Sequence, residues 1–443
     1  MTALIAGCSV HAVPQWGQFH GDPASRGFQQ VESGFALSSA WKSKAYEITT
    51  SSPVIGKDTE GKETIYIGTT GALLVALSAE DGSEKWRRAF GSLGTPAHLV
   101  SSPAVSKMGD IYVVASHRVD HGRLQSTLCK VDPFGNPVWS YSFPDHGFTT
   151  GSPKVVQRGD DTLIFTYVYV GPVGDLRGEL FVLRDEGYRA ELLQRKALGA
   201  CRDDITGSGS GRDDRLDSLD AVWDFITAFP IERQRDGTLP NQFLDPTVAI
   251  VSQGERLLIA IADNLCRLGV YEWQEGQLSV LWGLEHAFEK HSSTALLSSG
   301  LMVFGRRDGK VLAHDVDTGA KMWEYDAGQP VMATPAEARA RLIFVVSKDN
   351  IQVVNAADGT LVHDGTFPRK LKLRGQTFAS PAVTTNRVYV PAWEMLTVTH
   401  DFRTRSHDTN FHGNGLSSAA IGDDGAVYAV AIDGTVWKYL STR

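Results

Sequence analysis

A period of roughly forty to fifty residues runs through the sequence and constrains its fold more than any single residue does. A short start, most often Ser-Pro, recurs at Ser52-Pro53, Ser102-Pro103, Ser152-Pro153, Asp245-Pro246, Ser293-Thr294, Thr334-Pro335, Ser380-Pro381 and Ser418-Ala419. About ten residues after each start comes a β-branched or aromatic run, such as Ile65 to Ile67, Ile111 to Val113, Val388 to Val390 or Val427 to Ala429. Such runs are strands by composition and length. In the better-preserved units a third apolar strand follows, then an acidic-Gly turn, then a strand bearing tryptophan. Leu74 to Trp86 shows it through Asp81 and Gly82, and Val311 to Trp323 repeats it through Asp317 and Gly319. The turn glycine supplies the positive φ of a hairpin. Four antiparallel strands per unit make a propeller blade, and a tandem period of this length means a propeller or a solenoid. The expectation is an all-β, eight-bladed β-propeller of four-stranded antiparallel blades, occupying residues 37–443.

The intervals between starts are 50, 50, 93, 48, 41, 46 and 38 residues, so one is too long by about a unit. The excess lies at about 201–243, where strand alternation is missing. Apolar residues at Leu216, Leu219, Val222, Trp223 and Ile226 follow a helical period up to Pro230. One helical insertion on a propeller face is expected there. Its Trp223, Phe225 and Phe229 are the partner-contact candidates, the other reading being that this apolar stripe packs on the chain's own face. The last unit, from Ser418 to Arg443, is too short for four strands. Trp41 stands 11 residues before Ser52, the spacing that separates Trp282 from Ser293 and Trp323 from Thr334. Trp41 therefore reads as a fourth-strand tryptophan, and an N-terminal strand pairing near Thr435 to Tyr439 would close the ring and remove both sheet edges.

Composition narrows the partners. Lys and Arg number 43 against 51 Asp and Glu, a formal charge of −8, which lacks the basic field of a nucleic-acid binder. No run of about 18 apolar residues offers a membrane span. Residues 1–36 form an N-terminal segment and lead-in, in which Leu4 to Ser9 resembles a bacterial lipobox and Cys8 is the lipidation candidate. The alternative is a chance Ala-Gly-Cys. The four cysteines, Cys8, Cys129, Cys201 and Cys266, are spaced for neither zinc nor a disulfide scaffold. His117 with His121 and His286 with His291 fall in expected turns, and no metal site is expected. The acidic stretch from Asp203 to Asp214 reads as a solvated loop, with a calcium loop as the lesser reading. Asp315 to Trp323 misses the register of a sialidase Asp box. The basic cluster Arg369 to Arg374 alternates as an outer edge strand would, with an acidic partner as the lesser reading.

The Ser-Pro start, the strand, the Asp-x-x-Gly turn and the tryptophan resemble the repeats of pyrroloquinoline quinone (PQQ)-type β-propellers. The lead-in Trp16, Phe19, Gly21, Asp22, Pro23 and Gly27 looks like the segment before the first blade in secreted members. That family includes quinoprotein dehydrogenases and also non-enzymatic BamB-like lipoproteins that assist outer-membrane assembly. The dehydrogenases pair adjacent cysteines over the cofactor, and this sequence has no such pair. The resemblance implies a non-catalytic binding or assembly scaffold of the cell envelope, on its periplasmic side, monomeric, with no PQQ or other cofactor. A protein or peptide partner would be bound by face loops, with a lipid anchor at Cys8. The rival is a PQQ-dependent or carbohydrate-active propeller enzyme.

Overall fold

The computed structural model describes residues 16–33, 36–44, 46–47, 49–91, 97–119, 124–171, 177–198, 247–263, 267–285, 292–331, 333–346, 350–362, 371–372, 379–392, 395–400, 403–406 and 417–442. They fold into a β-propeller. Eight antiparallel sheets are present, each built on four strands, in sequence order from the axis outward in all but the last. The first runs Val54–Lys57, Glu63–Gly68, Leu73–Ser78 and Glu84–Ala89. We number the blades from this sheet. Blade 2 extends its second strand, Ile111–Arg118, far enough to pair with an additional strand, Ala97–His98. In blade 8 the outermost strand is Ala36–Lys42, hydrogen-bonded to the third strand Val436–Thr442 with Trp41 opposite Lys438 and Lys42 opposite Trp437. The N-terminal strand thus closes the ring where the Trp41 spacing placed it.

The blades converge towards the axis, so the innermost strands must be thin. Their central positions are Val54, Ala104, Lys154, Ala249, Ala295, Ala336, Ala382 and Ala420, and all are buried. Second and third strands carry β-branched and aromatic residues on both faces, because each sheet is sandwiched between two neighbours. One continuous packing, for example, joins Phe165, Tyr167 and Val182 of blade 3 to Ile259, Tyr271 and Trp273 of blade 4.

The repeat of turn glycine and tryptophan has a single physical cause. In six blades a β-bulge interrupts the pairing of third and outermost strands, for instance between Ala76 and Leu77, and just after it on the outer strand stands the docking side chain. The bulge re-aims that side chain at the next blade. Trp86 Nε1 donates to Pro133 O at 2.9 Å, Trp282 Nε1 to Val316 O at 2.8 Å and Trp323 Nε1 to Ala356 O at 3.2 Å. Beneath these indoles lie Gly135, Gly319 and Gly359 of the next blade's outer hairpin, where any Cβ would strike the ring. Blade 3 has Gln194 in place of tryptophan, and its amide donates to Gly276 O and accepts from Leu278 N. The tryptophans are blade-to-blade docking residues, as their recurrence suggested.

Two sequence expectations need correction, and others fall outside the described residues. Unit four starts two residues later than Asp245-Pro246, for the geometry below puts Thr247 where the other units have serine or threonine. His117 lies in a strand, not a turn. Among the described residues there is no helix. The helical insertion expected at about 201–243, with Trp223, Phe225 and Phe229, lies outside the described residues, as do Cys8 and the acidic stretch from Asp203 to Asp214. Leu371–Lys372 of the basic cluster does form the outermost strand of blade 6.

Candidate functional site

The axis is built from the unit starts. Ser52 N donates to Ser102 Oγ at 2.9 Å, Ser102 N to Ser152 Oγ at 3.0 Å, and Ser152 N to Thr247 Oγ1 at 2.8 Å. Thr334 N donates to Ser380 Oγ, Ser380 N to Ser418 Oγ, and Ser418 N back to Ser52 Oγ, each at 2.9 Å. This belt of hydroxyl links joins blades 1 to 4 in turn and blades 6, 7, 8 and 1, the last link closing the ring across 366 residues. Each link satisfies an inner-strand amide that no ladder partner reaches, which a buried N–H requires.

Three residues further along the inner strands of blades 1 to 7 the lead-in takes over. Residues 16 to 29 travel around the channel and offer one acceptor to each of blades 1 to 7. Ile55 N donates to Trp16 O, Val105 N to Gly17 O, Ile250 N to Pro23 O, Leu296 N to Ala24 O, Glu337 N to Arg26 O and Val383 N to Gly27 O, all at 2.7 to 2.9 Å. At blade 3 the Gln18 amide replaces the backbone, accepting from Val155 N at 2.9 Å and donating to Val155 O at 2.8 Å. At blade 8 Gln29 Nε2 reaches Asp423 at 3.2 Å. The segment is a plug, sealing the channel at the end where first strands turn into second strands.

Two ionisable side chains hold the plug. Lys154 stands where other inner strands have Ala or Val, and its buried Nζ donates to Phe19 O at 2.7 Å and Asp22 O at 2.9 Å. His20 lies between Ser25 O, 2.8 Å from Nδ1, and Pro381 O of blade 7, 2.9 Å from Nε2. Burial lowers its pKa to about 4, although both carbonyls pull the other way. It is held as a neutral ring at neutral pH.

Outside the plug, charge serves blade contacts. Lys130 Nζ sits 2.6 Å from Asp185 and 2.9 Å from Asp110, and Trp139 Nε1 and Tyr112 Oη donate to the same Asp185. Burial works to raise Asp185, but these donors outweigh it and keep its carboxyl below the ordinary range. The Cys129 thiol is buried and pushed up to about 12 by burial, so it is no nucleophile. No three His, Cys, Asp or Glu side chains among the described residues are grouped to share a metal ion. What the arrangement offers chemically is a rigid ring with one end sealed. At the other end lie the ends of the outermost strands, such as Ala197 of blade 3, and the starts of the units, such as Thr247 of blade 4.

The sequence marks the recurring starts but not their role as inter-blade acceptors. The signal was available, since seven of eight starts carry a hydroxyl at one position. The plug had no such signal, because most of its bonds come from backbone carbonyls.

Solved structures share this fold. The chain is similar to BamB from Moraxella catarrhalis at 14% identity and TM-score 0.50, covering 97% of this chain and all of that one. It is similar to a europium-containing methanol dehydrogenase at 11% identity and TM-score 0.63, covering 94% and 89% of the two chains. A quinohemoprotein alcohol dehydrogenase from Comamonas testosteroni matches at 11% identity and TM-score 0.58, over 98% and 82%. Among curated proteins none matches the sequence. The family model described as outer membrane protein assembly factor BamB matches residues 36–187 and 270–394. As these segments make up more than half of the sequence, the chain belongs to the PQQ-type β-propeller family described by outer membrane protein assembly factor BamB.

Proposed function

We propose that this chain is a non-catalytic assembly scaffold of the bacterial cell envelope that binds protein or peptide partners at the belt end of the propeller. The observation that carries the reading is the family match over residues 36–187 and 270–394. A rigid ring tied by buried bonds between every neighbouring pair of blades suits the role, because loops held on such a frame recognise partners without any reactive group. The periplasmic location, the lipid anchor at Cys8 and partner contact through Trp223, Phe225 and Phe229 belong to the same proposal.

The test is affinity capture of the full chain from its native envelope, with mass spectrometry of what copurifies. An outer-membrane assembly protein retained by the wild type and lost by Trp223→Ala with Phe229→Ala, at unchanged melting temperature, supports the reading. The enzyme reading draws on the fold shared with two dehydrogenases. Reconstitution with quinone and calcium, followed by dye-linked assays on alcohols and sugars, separates the two. Turnover under those conditions overturns the scaffold.

A further inference from the structure

From the exposed apolar turns and the point where the chain enters the ring, we infer that the plugged end of the propeller rests on a lipid surface. Turns between first and second strands and between third and fourth strands all lie at that end. Seven large apolar side chains are strongly exposed among the described residues: Met108, Phe134, Val138, Tyr188, Leu192, Met322 and Leu440. All but Leu440, which lies on the third strand of blade 8, sit in such a turn or beside one. Val138 and Met322 are the extra residues of outer-strand bulges. Met108, Phe134 and Tyr188 are different, for they occupy the tips of three turns and are 73%, 65% and 71% exposed.

The three tips are held side by side. Lys130 Nζ, below them, joins Asp110 beside the first turn to Asp185 and Gly187 O beside the third. Gly109 of the first turn packs against Pro133 of the second, where a Cβ would lie 3.3 Å from the ring. Arg189 lies over the Tyr188 ring at 5.6 Å. A rigid group of methionine, phenylalanine and tyrosine beside the ion pair of Arg189 and Glu186 suits a bilayer interface, where apolar bodies enter and polar ends stay wet.

The occupant is fixed by where the chain enters. Trp16 is bonded to Ile55 at the plugged end. Cys8 precedes it by eight residues, so an acyl chain there lies within about 29 Å of Trp16 even at full extension. The inference rests on the proposed anchor for its choice of lipid. A single acyl chain gives marginal binding, and stable attachment takes a second signal, which the three tips supply.

The full chain carrying Cys8→Ser, which has no acyl site at that position, isolates the surface. It should cosediment with phosphatidylcholine vesicles, and adding Met108→Ser, Phe134→Ser and Tyr188→Ser should lower its partition coefficient by about tenfold at an unchanged melting temperature. No partition by the Cys8→Ser chain, or equal partition by the quadruple variant, overturns the inference. So does a quadruple variant that keeps its vesicle binding and loses a copurifying envelope protein, which would assign the tips to that protein. Palmitate labelling of the unaltered chain reads the anchor separately. Vesicle binding without label leaves the surface standing and removes the anchor.

Discussion

Trp41 lies on Gly82 across the junction between the chain's first strand and its first complete blade, and its indole donates to Ala79 O at 3.2 Å. Gly82 has φ of +73°, and a Cβ there would stand 2.5 Å from Trp41 Cε3. Gly82→Ala should therefore cost about 2–4 kcal/mol, from backbone strain and the displaced indole together. Gly187 is the control: its φ is +87° with nothing within 4 Å of the added carbon, so Gly187→Ala should cost only about 1 kcal/mol. Urea midpoints of the two variants measure the difference. Equal losses would mean that the indole seat contributes nothing.

The belt offers a substitution with a built-in rescue. Ser52→Ala deletes the acceptor of Ser418 N in a buried setting, which should cost about 1–3 kcal/mol. Ser52→Thr keeps the oxygen, and Thr247 already serves this way in blade 4 by accepting from Ser152 N. The threonine variant should recover most of the loss in a denaturant titration. If Ala and Thr behave alike, the hydroxyl is not what the site requires.

Nested truncations separate the plug from the closing strand. Removing residues 1–33 takes away the plug acceptors and leaves Ala36–Lys42 in place on blade 8. The ring should stay closed and monomeric, with a lowered melting temperature. Removing residues 1–47 also strips the outermost strand from Val436–Thr442 and leaves an unpaired edge. That should cost at least about 3 kcal/mol more and favour edge-to-edge dimers visible by size-exclusion chromatography. Indistinguishable truncations would show that the closing strand does not hold the ring.

The parts of this fold legible in the sequence are those in which a side chain meets its partner at a fixed offset. Gly319 and Trp323 recur at a set spacing because each must serve a neighbouring blade, and the same spacing exposed Trp41 as a strand without its own blade. The belt was half legible. Its serines stood out as turn starts, but an amide 50 residues away as the donor leaves no mark in the sequence, and in unit four the Asp245-Pro246 pair drew attention from Thr247. Gln194 in blade 3 hid a docking contact by making it with an amide. The plug was illegible for a plainer reason: carbonyls such as Pro23 O and Ala24 O are common to every sequence, and only Gln18, His20 and Lys154 reveal that the segment is buried.

His20 makes the plug sensitive to acid. Its ring is enclosed by Ser25 O and Pro381 O, with Lys154 and Asp22 the charged groups facing it, and burial sets its pKa at about 4. In the unfolded chain a histidine titrates near about 6.5. Between these values the unfolded chain holds a proton that the folded chain lacks, so stability rises with pH across this window. The contribution is complete above about pH 6.5 and is lost as pH falls towards 4, with a span on the order of 3 kcal/mol. Burial lowers His98 and His117 as well, so part of any acid sensitivity belongs to them. His20→Gln removes only its own share. Urea titrations at intervals from pH 7.5 to 4.5 should show the wild type losing its advantage over His20→Gln as the solution is acidified. Curves that stay parallel through the window would place the proton elsewhere.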